Sequence, residues 1–96
     1  MKKTALIITF ATIAPSLAAA GCYADYKAKQ SASGLKLHYG VMQLSGGACN
    51  SRAKAQAVVA KRLANGGWQL LTLLSIFDQS GLSQRQNNAG AYFLRY

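Results

Sequence analysis

Hydrophobic and polar residues alternate along residues 35–44. The hydrophobic positions in the first part of this segment are Leu35, Leu37, Tyr39 and Val41. A period of two residues predicts a strand with one buried face, and it places Lys36 and His38 on the other, exposed face. The alternation then shifts by one residue, which makes Gly40 a candidate β-bulge.

A different period, close to 3.6 residues, indicates a helix over Arg52–Asn65. Its predicted buried face carries Ala55, Val59 and Leu63. Asn50 or Ser51 can cap the first turn with a side-chain oxygen. The pair Gly66-Gly67 ends the helix, because a glycine takes the left-handed conformation at little steric cost.

The segment from Trp68 to Phe77 is hydrophobic at almost every position and predicts a second strand. Strict alternation divides its side chains between two faces, with Trp68, Leu70, Leu74 and Ile76 on one and Leu71, Leu73 and Phe77 on the other. A strand that is hydrophobic on both faces needs a cover on both. The predicted helix covers one face, so the other must meet the N-terminal residues, a second subunit or another protein.

The remaining segments complete a small α+β domain. Residues 21–34 are polar with several small residues, and they predict an irregular N-terminal arm, with at most one helical turn and pinned by Cys22, before the folded domain of residues 35–96. Residues 78–90 predict a long turn, and residues 91–96 predict a last strand. The result is a β-α-β-β order, with one helix packed on a small three-stranded, mainly antiparallel sheet. The expected core consists of Trp68, Val59, Leu63, Leu70, Leu74 and Phe93.

Residues 1–20 have the pattern of a signal peptide. Lys2 and Lys3 precede an uncharged hydrophobic run of 11 residues, 4–14, which is shorter than the roughly 20 residues that span a bilayer. Alanines at positions 18 and 20 fit the small-residue rule for cleavage after Ala20. We therefore expect export to the periplasm or out of the cell, or, if the run is retained, attachment to the membrane.

The two cysteines allow two interpretations. Cleavage after Ala20 leaves 76 of the 96 residues, a size at which a single core is marginal and a disulfide helps. A Cys22–Cys49 bridge is therefore predicted, in keeping with an oxidising compartment. Alternatively, the run from Ala19 to Cys22 loosely matches the bacterial lipoprotein signal. Cys22 would then carry the lipid, and Cys49 would be a free thiol.

The charge balance is strongly basic. The chain has 11 Lys and Arg residues against 2 acidic ones, a net charge of +9. Loss of Lys2 and Lys3 with the signal peptide leaves nine basic residues and two acidic ones, about +7. Such a surface attracts polyanions, and the candidate anion- or partner-binding residues are Lys54, Lys61, Arg62 and Lys36. After export we expect no nucleic acid as partner. Anionic lipid, an envelope or membrane protein and self-association are the candidates, and a merely solvated basic surface is the alternative.

Few residues are suited to catalysis. The chain has no Glu, and Asp25 and Asp78 are more typical of turns or caps. His38 is the one candidate base near neutral pH, but no motif places a nucleophile and an orienting group beside it. An exposed strand histidine is the favoured interpretation, and a small enzyme using His38 is the weaker alternative. We expect no metal and no cofactor.

Residues 62–71, with the sequence Arg-Leu-Ala-Asn-Gly-Gly-Trp-Gln-Leu-Leu, resemble the signature of a bacterial family catalogued as domain of unknown function four-one-seven-seven. That family has a helix ending before a glycine-tryptophan-glutamate-leucine run, with a strand on either side. Gln69 stands here in place of the glutamate, and the resemblance covers residues 35–96. It implies a small α+β fold and supports export, but it implies no activity.

Taken together, these patterns favour an exported, non-enzymatic binding or accessory module of the cell envelope. It would dock through its uncovered hydrophobic sheet face or through the basic face of its helix. A lipoprotein anchored through Cys22 and a small enzyme using His38 are the alternatives.

Overall fold

The computed structural model describes residues 21–96, and the predicted signal peptide lies outside the described residues. The described chain forms β1 (Cys22–Gln30), β2 (Lys36–Leu44), α1 (Arg52–Asn65), β3 (Gln69–Phe77) and α2 (Leu82–Ala89). The strands make one antiparallel sheet in the order β2-β1-β3. The prediction of a small α+β fold with a three-stranded sheet is thus confirmed, although the sheet uses a different third strand.

That strand is β1, which lies in the segment expected to be an irregular arm. β1 is the central strand and pairs with β2 and β3 along almost its whole length. Its inward positions include Ala24, Tyr26 and Ala28, none of which is exposed to solvent. Alanine is a weak strand former, so these inward alanines do not produce the clear hydrophobic alternation that predicts a strand. Those small side chains are what a central strand needs when a helix packs closely above it.

The expected strand at residues 91–96 is wrong. The preceding segment is not a simple turn either, because it contains α2, and the chain then makes a 3₁₀ turn over Gly90–Tyr92. The last residues form a backbone hydrogen bond with the sheet at the outer edge of β2, where the amide of Leu94 donates to the carbonyl of Val41 at 2.8 Å. Phe93, expected in the core, is half-buried at this edge beside Val41. The chain turns back at Leu94, whose φ is 57°.

Helix α1 has the predicted bounds and covers one face of the sheet, which we name the helix face. The side chain of Ser51 accepts a hydrogen bond from the amide of Lys54 and caps the first turn. At the other end Gly67 takes a φ of 86°, and the amide of Trp68 reaches back to the carbonyl of Leu63 at 2.8 Å. The predicted core residues Val59, Leu63 and Trp68 are buried here, and Leu70 packs against them.

Cys22 and Cys49 form a disulfide with a Cα–Cα separation of 5.8 Å, as predicted. The bond joins the first residue of β1 to the 3₁₀ turn that leads into α1. It therefore fixes the start of the helix over the start of the central strand. The pairing occupies the sulfur that lipidation of Cys22 would require.

Two irregularities in β3 change which of its side chains point inward. Tyr26 pairs with Leu73 although Asp25 pairs with Ser75, and Ala28 pairs with Leu70 although Lys27 pairs with Thr72. At each of these two places one residue of β3 has no partner on β1, as in a β-bulge. The residue is Leu74 at the first place and Leu71 at the second. The inward side chains therefore recur every third residue, at Leu70, Leu73 and Ile76. The expectation that Leu74 belongs to the core is wrong, because strict alternation does not hold here and Leu74 is exposed.

Gly40 is not a bulge, because β1 and β2 stay in register through it. It makes room for Tyr26 on the neighbouring strand. A Cβ atom at Gly40 would lie 2.4 Å from the hydroxyl oxygen of Tyr26. The absence of a side chain lets the Tyr26 ring cross β2 and reach His38.

Candidate functional site

His38 is buried, and the prediction of an exposed strand histidine is wrong. Only 8% of its surface is accessible, because its position in β2 faces the helix side, opposite Ala28 of β1. Its Nε2 lies 3.0 Å from the hydroxyl of Tyr26. Its ring stacks on Tyr92 with centroids 3.7 Å apart and meets the edge of Trp68 at 4.3 Å. Tyr92 belongs to the 3₁₀ turn that follows α2. The residues after α2 therefore complete a cage of side chains around the imidazole.

The cage favours a neutral imidazole. Burial lowers the pKa of His38, and the nearby charge of Arg95 lowers it further. Burial also raises the pKa of Tyr26, so the tyrosine is a neutral partner rather than a base. Within residues 21–96, Nδ1 of His38 has no hydrogen-bond partner. Two aromatic rings and a tyrosine hydroxyl surround the histidine, which is the environment of a packed core side chain.

A second polar cluster lies on the opposite face of the sheet, around Asp25. One carboxylate oxygen accepts from Ser75 Oγ at 2.6 Å, and the other accepts from Tyr39 Oη at 2.9 Å and Arg85 Nε at 3.1 Å. Asp25 is 7% exposed, so the expectation of a turn or cap residue is wrong for it. Asp78 fits that expectation, since it caps the turn after β3 by accepting from the amide of Ser80.

The electrostatics of this cluster favour an ionised Asp25. Burial alone would raise the pKa of Asp25, but the hydrogen bonds from Ser75, Tyr39 and Arg85 outweigh burial and hold the pKa below its usual value. Burial and the hydrogen bond to Asp25 raise the pKa of Tyr39 to about 12. The cluster thus combines a fixed negative charge with three donors, all of them already used.

Arg85 joins this cluster to helix α2. Its guanidinium lies 3.9 Å from the centre of the Phe77 ring, and it also donates to the carbonyl of Gly81 at 2.7 Å. Together with the buried residues Val41 and Ala89, these contacts seal one half of the second sheet face under α2. We call this half the sealed half.

The other half of that face stays open, towards the β1–β2 turn. Leu37 of β2 is 64% exposed and Leu71 of β3 is 49% exposed. Both line a shallow cleft of about 260 Å³, together with Lys27 and Tyr39. Lys29 follows on the same side of β1, where it pairs with Leu37. We name Lys27, Lys29, Leu37 and Leu71 the leucine–lysine surface.

The four basic residues proposed from the sequence do not come together. Lys54 and Lys61 are exposed on α1, on the far side of the molecule from the leucine–lysine surface. Arg62 is half-buried and donates to the carbonyl of Gln43 at 2.7 Å, so it ties α1 to β2. Lys36 is exposed at the start of β2, next to Leu37 and opposite Gln30. Lys27 and Lys29, which the sequence reasoning did not single out, lie beside the exposed leucines instead.

Two further observations bear on the class of site. Across the part of the chain that the structure describes, no three His, Cys, Asp or Glu side chains are placed to hold a metal ion. Neither α1 nor α2, nor any other helix between residues 21 and 96, is long and hydrophobic enough to cross a bilayer.

Comparison of the chain with protein-family models, with curated proteins and with solved structures found no match in any of the three. The resemblance of residues 62–71 to a small bacterial family therefore stays a prediction.

Proposed function

We propose that this chain is an exported, non-enzymatic binding module that docks on a component of the cell envelope through the leucine–lysine surface. The observation that carries the proposal is the exposure of Leu37 and Leu71 around one cleft, on a sheet face whose other half is sealed. Large contiguous hydrophobic patches on the surface of a soluble protein mark interaction sites.

The contrast within one sheet face supports this choice of surface. The sealed half contains an ionised carboxylate, three donors and a covering helix. The open half contains two leucines and two lysines that neither α1 nor α2 covers within residues 21–96. Helix α2 covers the sealed half and does not extend over the two leucines. They therefore form a defined hydrophobic area on the same face.

The basic face of α1 is a weaker candidate. Its exposed positions are mainly alanine, glutamine and lysine, which offer charge but little hydrophobic area. Binding there would depend on screened surface charges, each worth little at physiological salt.

The two polar clusters support a non-enzymatic role. His38 is enclosed by aromatic rings, and Asp25 is saturated by three donors. His38 borders the leucine–lysine surface, but its ring packs against Trp68 and Tyr92. Asp25 does not line the cleft. The disulfide supports export, because such bonds persist in oxidising compartments.

Site-specific photo-crosslinking in cells that express the full chain tests the proposal. A photoreactive amino acid would replace Leu37 or Leu71, and Gln56 on the exposed side of α1 would be the control position. We expect adducts, whether with protein or with lipid, at positions 37 and 71 and not at 56. Equal labelling at position 56, or no adduct at the two leucine positions, would contradict the proposal.

A further inference from the structure

We propose that the docking partner is an anionic lipid membrane, with the leucines entering the interface and the neighbouring lysines contacting headgroups. This inference rests on the proposed function, because it uses the same surface. It adds the chemical class of the partner.

The arrangement of charge around the leucines favours a membrane. Lys27 lies on the central strand, paired with Tyr39 on one side and Thr72 on the other, so it stands between the strands that carry Leu37 and Leu71. Lys29 lies directly opposite Leu37 across the sheet. Lysine side chains beside hydrophobic groups can extend their charged ends to the headgroup level while their stems stay in contact with the leucines.

The turn between β1 and β2 adds to this end of the molecule. Leu35 directly precedes β2 and is 69% exposed, and residues 31–34 before it are small and exposed. The chain therefore presents a third leucine at the same end of the sheet. An exposed turn with one large hydrophobic residue is a suitable shape for shallow insertion.

No free carboxylate opposes an anionic surface here. The chain has two acidic side chains. Asp25 is ion-paired with Arg85, and Asp78 follows Phe77, which pairs with Tyr23 at the opposite end of the sheet. Anionic headgroups approaching Lys27 therefore meet no uncompensated negative charge.

The same charges argue against a second copy as the partner. A symmetric dimer through this small surface would gather Lys27 and Lys29 of both protomers in one interface, and the two acidic side chains of each chain lie elsewhere, Asp25 paired with Arg85 and Asp78 at the other end of the sheet. Like charges brought together at an interface are unfavourable. An acidic protein is the remaining alternative, and the test below distinguishes it.

Partitioning of the disulfide-bonded chain, residues 21–96, onto vesicles tests the inference. Vesicles of phosphatidylcholine with phosphatidylglycerol would be compared with phosphatidylcholine alone, at physiological salt. We expect binding to the anionic vesicles only. A lysine near a charged membrane contributes about fivefold in affinity, so K27Q/K29Q should weaken binding by about 25-fold.

A matched control is available on α1. K54Q/K61Q removes the same charge from the far side of the molecule and should weaken binding far less than K27Q/K29Q. L37S/L71S should lose binding at unchanged net charge. Both leucines are exposed, so circular dichroism should show that this variant is folded.

Failure of this inference can be told apart from failure of the proposed function. Absence of vesicle binding, or an equal loss in K54Q/K61Q, would overturn the membrane inference. If protein adducts then still form at position 37, the docking surface stands and its partner is a protein. If no adducts form there either, both proposals are wrong.

Discussion

Asp25 is nearly inaccessible to solvent, and its carboxylate accepts from three side chains on three different elements. Replacing Asp25 with Asn removes the charge that pairs with Arg85 and turns one acceptor into a donor. We expect the free energy of unfolding to fall by about 3 kcal/mol, as when one partner of a buried ion pair is removed. Urea unfolding near neutral pH measures this change.

Asp78→Asn is the control, because Asp78 is exposed and Asn caps a turn as well as Asp does. Similar losses in the two variants would contradict the role assigned to Asp25. Since the pKa of Asp25 is lowered on folding, its contribution is present above the usual value of 3.8 and is lost as the pH falls below it.

We expect His38 to make the free energy of unfolding depend on pH in a second range, above the range in which Asp25 titrates. Burial, with a smaller effect of Arg95, lowers its pKa on folding, so the unfolded chain takes up a proton first as the pH falls. The free energy of unfolding should therefore decrease from about pH 7.5 to about pH 5.5, around the ordinary histidine pKa. Denaturant unfolding at the two pH values measures the decrease.

His38→Phe keeps a ring for stacking on Tyr92 and cannot be protonated. It should abolish most of the decrease, and because Asp25 titrates in a lower pH range, the two effects can be separated. A decrease of the same size in this variant would show that the cage around His38 is not its source.

At the scale of elements, the irregular β3 predicts different roles for two adjacent leucines. Leu73 is 2% exposed and faces α1, whereas Leu74 is the unpaired residue of a bulge and is exposed. Leu73→Ala should lower the free energy of unfolding by about 3 kcal/mol. Leu74→Ala should change it by less than about 1 kcal/mol. Equal losses would indicate that the strand alternates without interruption.

The disulfide joins the first residue of β1 to the 3₁₀ turn that precedes α1. It closes a loop between residues separated by 27 positions, and the chain-entropy relation gives about 3.6 kcal/mol for such a loop. C22S/C49S should lose about this amount in urea unfolding. Reductant should destabilise the parent chain to a similar extent and leave the variant unchanged. The intact mass of the parent should be two hydrogens below that of the reduced chain.

Local signals explain which elements the sequence could predict. Helix α1 is bounded by a serine cap and a glycine pair, and β3 is a continuous hydrophobic run, so both are visible in short windows. β1 was missed because its inward residues include Ala24 and Ala28, whose burial depends on the helix above them. α2 was missed because it holds few hydrophobic residues and is fixed by a contact from Arg85 to Asp25, 60 positions away.

The site was only partly predictable, because it too depends on contacts between residues that are distant in sequence. Because residues 68–77 are hydrophobic on both faces, the sequence predicts a second sheet face that needs a cover. In the structure, half of that face is open. The identity of the exposed leucines depends on the two bulges, and the neighbouring lysines come from a strand that was not expected. His38 was assigned to the wrong face because the assignment assumed that one side of β2 meets solvent, whereas the helix covers one side and α2 covers part of the other.

At the scale of the whole molecule, the last four residues connect the edge of β2 to the C-terminal end of α1. Leu94 is hydrogen-bonded to Val41 at the edge of β2, and Tyr96 lies so close to Gly66 that a Cβ atom there would be 2.6 Å from its ring. Removing residues 93–96 should lower the free energy of unfolding by about 2 kcal/mol or more, because the half-buried rings of Phe93 and Tyr96 are lost. Tyr96→Ala should reproduce part of this loss, and Arg95→Gln should not.

The bulges of β3 also limit how large the sheet can become. An open strand edge is a template for strands of other chains and hence for aggregation. Within the described sheet, one outer strand carries two breaks in its regular ladder, and the other is partly occupied by residues 93 and 94. Irregular edges twist away from incoming strands. The break that brings Leu71 to the surface therefore also hinders the growth of a very hydrophobic strand into a fibril.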